Sequence, residues 1–249
     1  MIKAIIFDFD GVIAESVDLK TKAFAKLFEP YGWETVNSVV EYHLNNTGVS
    51  RFDKFRHIYG EILKEDLSEN LFRELCSKFA KLVVDEVVDA PFVPGVQVFL
   101  QRYSKEFKCF VLSATPQDEI EEILRRKGIS GYFFGIYGSP REKSDVVKEI
   151  IEKENLFPSE AAYVGDSLSD YNAARENGIN FVARVTANSR IFENIDCPKT
   201  RDLNNLYSII NGLTRSSKIV LCFPLSDLDK IKRYFKDEKE VPWIYLGNN

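Results

Sequence analysis

Met1-Ile2-Lys3-Ala4-Ile5-Ile6-Phe7-Asp8-Phe9-Asp10-Gly11 opens the chain with an apolar run that ends in two aspartates one residue apart, followed by glycine. The run predicts a buried strand over Ala4–Phe9. Side chains at i and i+2 of a strand share a face, so both carboxylates project together from its C-terminal end. Two like charges that close need a cation between them or a shared proton. Gly11 lets the backbone turn and lets a ligand approach. An Asp-x-Asp-Gly stretch also suits an ordinary strand-to-loop turn or a calcium loop, so the rest of the chain has to decide.

Composition narrows the field. The 249 residues are 45% hydrophobic and 29% charged, as in an ordinary globular protein of one large or two modest domains. Thirty-three basic against 38 acidic residues give a net charge of −5. With no basic run, nucleic acid and anionic membrane surfaces are not expected partners. Cys76, Cys109, Cys197 and Cys222 form no CxxC pair, and Cys109 and Cys222 lie in apolar runs where a reduced cysteine acts as a small core residue. No stretch has the length of a membrane span, and the first apolar run meets Asp8 too early for a signal peptide. A cytoplasmic protein is expected. Repeats and low-complexity segments are absent.

Short apolar runs alternate with helical patterns, which predicts an α/β, Rossmann-like parallel sheet flanked by helices. Candidate strands are Ala4–Phe9, Lys108–Ser113, Phe133–Tyr137, Ala161–Gly165 and Asn180–Val185. Thr115-Pro116-Gln117-Asp118 reads as an N-cap threonine with proline at the first helical position. Gly128 and Gly178 fall where helices 117–127 and 169–177 should stop. From Glu15 to Phe92 nothing reads as a strand, while Leu71, Leu75, Phe79, Leu82 and Val83 recur at helical spacing. The organisation expected is a core of residues 1–14 and 93–213, an inserted helical cap over 15–92, and a C-terminal βα extension over 214–249. The extension would hold a strand, Ser217–Phe223, and a helix, Ser226–Lys236.

Ligands of an open parallel sheet bind at the C-terminal ends of its strands. Those ends carry Asp8 and Asp10, then Ser113 before a helix N-terminus, then a loop leading to Lys143, then Gly165-Asp166-Ser167-Leu168-Ser169-Asp170. Taken alone, Ser113 reads as a helix lead-in, Lys143 as a solvated first-turn lysine, and Asp166 and Asp170 as cap and turn residues. Their coincidence in order at successive strand ends argues otherwise.

This ordered set resembles the haloacid-dehalogenase-like hydrolase superfamily with a helical cap, as in its phosphoglycolate phosphatase and β-phosphoglucomutase-like members. The resemblance covers roughly residues 1–212. It implies that Asp8 is the nucleophile, forming an aspartyl-phosphate, and that Asp10 serves as general acid and then base. It implies phosphate contacts from Gly11, Ser113, the Ala114 amide and Lys143. It also implies Mg²⁺ held by Asp8, the Asp10 carbonyl, Asp166 and, directly or through water, Asp170. The stretch before Lys143 lacks the Lys-Pro pair of many relatives. Four carboxylates beside one lysine would repel a phosphate, and a hard, oxygen-preferring cation resolves that excess. No cysteine or histidine stands at these strand ends to favour zinc or copper. His43 and His57 read as surface or packing residues of the cap.

Asp10 argues against a dehalogenase, whose halide leaving group needs no acid. Gly48-Val49-Ser50-Arg51 is similar to the cap loop of β-phosphoglucomutases, which implies a phosphate contact for Arg51; equally, Arg51 simply begins a helix. An arginine there also speaks against a Schiff-base lysine at this loop, although other cap lysines exist. Gly165 leans toward a phosphatase, because many mutases of this kind carry an acid at that place. The expectation is a Mg²⁺-dependent phosphatase acting on a small phosphorylated metabolite such as a sugar phosphate. A β-phosphoglucomutase-type mutase is the alternative, and a non-catalytic binding protein on the same fold is a further one. Monomer and homodimer both stay open.

Overall fold

The structure, a computed structural model, describes residues 1–187 and 189–213 of the chain. The expected extension over 214–249, with its strand, its helix and Cys222, lies outside the described residues. Six parallel strands form one sheet in the order β3-β2-β1-β4-β5-β6. They are β1 (Ala4–Phe7), β2 (Lys108–Pro116), β3 (Gly135–Ser139), β4 (Ala161–Gly165), β5 (Asn180–Arg184) and β6 (Lys199–Thr200). The two-residue β6 has no apolar run to announce it.

Side chains alternate between two cores. Ile5, Phe7, Val111 and Val164 pack on one face, and Ala4, Ile6, Leu112 and Tyr163 on the other. Burial on both faces is why these strands read as continuous apolar runs. On the sheet's flanks lie α5 (Val96–Tyr103), α6 (Gln117–Arg126), α7 (Lys143–Lys153), α8 (Leu168–Glu176) and α9 (Leu206–Leu213). Gly128 and Gly178, at φ +71° and +66°, end α6 and α8 as expected.

Between β1 and α5 come only helices: α1 (Val17–Phe28), α2 (Trp33–Asn45), α3 (Arg51–His57) and α4 (Glu69–Asp89), with short tighter or wider turns between them. Phe24, Phe55 and Phe79 meet at their centre, the Phe24 and Phe79 rings 4.5 Å apart. The two connections to this block run side by side. Glu15 donates its amide to the Pro91 carbonyl at 3.0 Å, and Val93 donates to Ile13 at 3.0 Å.

Four of the five expected strands differ in their bounds: β3 runs over Gly135–Ser139 rather than Phe133–Tyr137, β5 stops at Arg184 instead of Val185, and β1 and β2 end elsewhere than expected. β1 stops at Phe7, because Val12, Ile13 and Ala14 all turn their amides back to the Phe9 carbonyl. β2 continues past Ser113 to Pro116, and Pro116 itself takes the N-cap position of α6. Thr115 is therefore not the cap, and its hydroxyl is released for other partners.

Candidate active site

Asp8 continues the β1 direction, donating its amide to the Val164 carbonyl at 3.0 Å, and its carboxylate is buried. Lys143, the first residue of α7, is buried rather than solvated and donates to Asp8 Oδ1 at 2.9 Å and Asp170 Oδ1 at 2.6 Å. Asp8, Asp166 and Asp170 offer carboxylate oxygens that all lie within 4.8 Å of one another. The chain thus brings together Asp8, Lys143, Asp166 and Asp170 from three strand ends, as the motif order implied.

Within this cluster the acids differ. Asp170 is fully buried and both its oxygens are occupied: Oδ1 by Lys143 and Tyr163, Oδ2 by the Asp166 and Ser167 amides and the Ser167 hydroxyl. Ser167 and Asp170 form a reciprocal cap on α8, so helix start and site are one construction. Among the described residues, nothing donates to the Asp166 carboxylate. A Cβ on Gly11 would sit 2.2 Å from Asp166 Oδ2, and Gly11 holds φ +76°; glycine is required there twice over.

Charge crowding shows in the titration of these groups. Burial pushes the Asp8 carboxyl up to about 7, with Asp170 and Asp10 adding to the rise and Lys143 opposing it. Burial, then Asp8 and Asp170, lifts Asp166 well above the usual carboxylate range. Burial works against the Lys143 charge, but Asp170 and Asp8 more than offset it. An all-oxygen donor set this crowded fits a hard divalent cation, which would let these acids ionise together.

Asp10 stands apart, facing a second set of partners. Ser16 donates to its Oδ1 at 2.6 Å, Lys20 to its Oδ2, and Thr115 to the same oxygen at 3.3 Å. Burial raises the Asp10 carboxyl, yet Lys20 and the three hydrogen bonds outweigh it and hold the group below its ordinary value. Ser16, Lys20 and Thr115 were not singled out by the motifs. The signal for Lys20 was present: it is four residues beyond Ser16, on the first helix after the aspartate pair.

Ser113 is buried, and its Oγ accepts the Thr115 amide at 3.1 Å, which leaves its hydroxyl hydrogen to donate elsewhere. Ala114 lies between two cavities. A groove of about 260 Å³ runs past Ser113, Lys143, Ser139 and Gly48. A cavity of about 30 Å³ lies on the other side, among Asp10, Lys20, His43, Arg51 and Lys54.

Arg51 does begin α3, but its guanidinium is buried and committed: it forms a two-pronged pair with Glu119 of α6 at 3.0 and 2.6 Å and lies over the Phe79 ring. His57 stacks on Tyr42. His43, expected at the surface or in packing, packs on Phe24, but it is buried and lines the small cavity.

The fold and the strand-end carboxylates define a parallel-sheet hydrolase with an inserted helical block. A model of the haloacid dehalogenase-like hydrolases matches residues 5–184, and the chain belongs to that family. It is 27% identical over 189 residues to a phosphorylated carbohydrates phosphatase of Thermotoga maritima, covering 74% of this chain and 85% of that one. It is 25% identical over 194 residues to a phosphoglycolate phosphatase of Synechococcus elongatus, covering 73% and 82%. A solved β-phosphoglucomutase from Clostridium difficile shares the fold at TM-score 0.69 and 21% identity, covering 86% of this chain and all of that one. Among the described residues, no helix is long and apolar enough to cross a membrane.

Proposed function

We propose that the chain is a Mg²⁺-dependent phosphatase of small phosphate monoesters, working through an aspartyl-phosphate on Asp8. The observation that carries this reading is the buried Asp8 held between Lys143 and an all-carboxylate cluster, with Asp10 and Ser113 beside it. The names of the two phosphatase relatives support the reaction class.

In this reading the Asp8 carboxylate attacks phosphorus, and the bond to the leaving oxygen breaks. Lys143 and the Ser113 hydroxyl, with the Ala114 amide, hold the phosphoryl oxygens. Asp10 gives a proton to the leaving oxygen, then takes one from the water that cleaves the acyl phosphate. Its resting form is the carboxylate, so the first step needs its proton affinity to rise; a phosphate dianion beside it acts in that direction. Asp8, Asp166 and the Asp10 carbonyl would hold Mg²⁺, which neutralises charge on carboxylate and phosphate oxygens when bound. Asp170, its lone pairs already used, orients Lys143 and the Asp166 loop. Residues 15–92 act as a cap moving on the paired connections at 13–15 and 91–93. The chain's setting is cytoplasmic.

A phosphate-release assay across small phosphoesters with Mg²⁺ tests this. Asp8→Asn is expected to lower turnover by at least about 10³-fold. Release that survives Asp8→Asn would overturn it. Conversion of β-glucose 1-phosphate to glucose 6-phosphate without free phosphate would move the reading to a mutase. The Glu119 grip on Arg51 and the absence of space at Gly165 speak against that: a Cβ there would lie 2.4 Å from Asp170 Cβ.

A further inference from the structure

Three openings reach the candidate active site, and each meets a different participant. The groove of about 260 Å³ touches Ser113, Ala114 and Lys143, the groups placed to hold phosphoryl oxygens. The cavity of about 30 Å³ touches Asp10 and Lys20. A third and larger space, of about 720 Å³, has the start of α1 and the end of α2 on one side. On its other side are the end of β5 and the loop that follows. Of the three acids gathered within 4.8 Å, this space touches Asp166, and the two smaller openings touch none.

Asp166 is also the acid best able to receive an ion from outside. Asp8 is 4% exposed and Asp170 fully buried, whereas Asp166 is only partly covered. Asp8 Oδ1 accepts from Lys143, and Asp170 spends both oxygens on Lys143, Tyr163 and the first turn of α8. The carboxylate that no described residue donates to is thus the one facing the large space.

The alternative ways in suit a cation poorly. Mg²⁺ gives up its waters reluctantly, so an arriving ion needs room for several of them. About 30 Å³ is room for one or two. The 260 Å³ groove meets the cluster through the Lys143 ammonium. In the large space Glu15 holds Arg184, and Arg190 is 86% exposed and therefore well screened. Asp18, exposed on the first turn of α1, lies on the same wall as Glu15.

We propose that this space is a separate port for the divalent cation, which loads onto Asp166 first and exchanges while the phosphoryl groove is occupied. The phosphatase reading enters only in naming what fills the groove. With a port of its own, the metal need not bind before the substrate or leave after the product.

The test reads metal exchange, so turnover is not needed. Mn²⁺ uptake by metal-free protein, and its loss into excess chelator, are timed by stopped flow. Asn45→Trp on the α2 wall and Thr186→Trp on the loop wall narrow the port at exposed positions. The pair together is expected to slow uptake and loss equally, each at least about threefold, with Kd unchanged, because an obstruction raises a barrier and leaves the bound state alone. Each single substitution reads the same effect should the pair fail to fold. Ser144→Trp, which narrows the groove instead, is expected to leave both rates as they were. Uptake should also continue with inorganic phosphate saturating the groove. Uptake abolished by phosphate, rates indifferent to the port variants, or rates that respond to Ser144→Trp alone would each overturn the port. A changed Kd at constant uptake rate overturns it too, since Asn45 and Thr186 would then shape the bound state. Should the chain release no phosphate from any ester while the exchange pattern holds, the phosphatase reading fails and the port stands. Mg²⁺-dependent release without the pattern removes the port alone.

Discussion

At the residue scale, Asp8 and Asp10 are two carboxyls two positions apart with opposite proton affinities. Burial among other acids raises Asp8 to about 7, whereas Lys20 and three hydrogen bonds outweigh burial at Asp10. Separation of this kind is how neighbouring acids take different tasks. It also has a thermodynamic consequence. An unfolded aspartate titrates near 3.8, below folded Asp8, so the native state binds the extra proton. The Asp8 contribution to metal-free stability is therefore fully present at low pH and is lost as pH rises from about 4 through 7. Thermal melts in chelator are expected to show the Tm of the unmodified chain falling, relative to that of Asp8→Asn, between about pH 5 and about pH 8. Mg²⁺ should raise Tm more at the higher pH. A Tm difference between the unmodified chain and Asp8→Asn that does not change with pH would contradict the crowding.

At the element scale, the β4–α8 corner carries two functions in one turn. Ser167 caps α8 and also donates to the carboxylate that steadies Lys143. Ser167→Ala is expected to cost about 1 kcal/mol of stability in urea unfolding and to lower turnover at the same time. Gly165→Ala, with no room for its Cβ beside Asp170, is expected to cost about 1–3 kcal/mol. The strand end of this corner was legible in the sequence because the pattern is local, an apolar run and then Gly165-Asp166, whereas the cap, read on Asp166 and Asp170, is Ser167 in reciprocity with Asp170. Thr115 misled because proline is tolerated equally as the first helical residue or just before it, and only the reach of β2 decides which. Lys54 and the direction of Arg51 were not legible. Helix packing around Phe24, Phe55 and Phe79 aims those side chains, and no short motif records it.

At the scale of the whole molecule, the helical block meets the core through several contacts, two of them closely fitted against α6 and α8. Arg51 grips Glu119 across the gap, and Gly48 lies so close to α8 that a Cβ would come within 2.0 Å of Ser169 Oγ. Glu119→Gln strands a buried guanidinium. It is expected to cost about 1–3 kcal/mol in denaturant unfolding, less than a fully buried pair because Glu119 keeps 21% exposure, and to speed proteolysis of the connections at 13–15 and 91–93. Unchanged stability and proteolysis would show that the pair does not hold the block down. The Asp10 contacts have a further consequence, in the order of synthesis. Ser16 and Lys20 reach Asp10 from six and ten residues away, whereas Lys143 reaches Asp8 from 135. A chain emerging N-terminus first can assemble most of its proton-handling half from its opening twenty residues. The half that binds phosphorus must wait for the last third of the described chain, so an incomplete nascent protein carries a tuned acid and no working nucleophile.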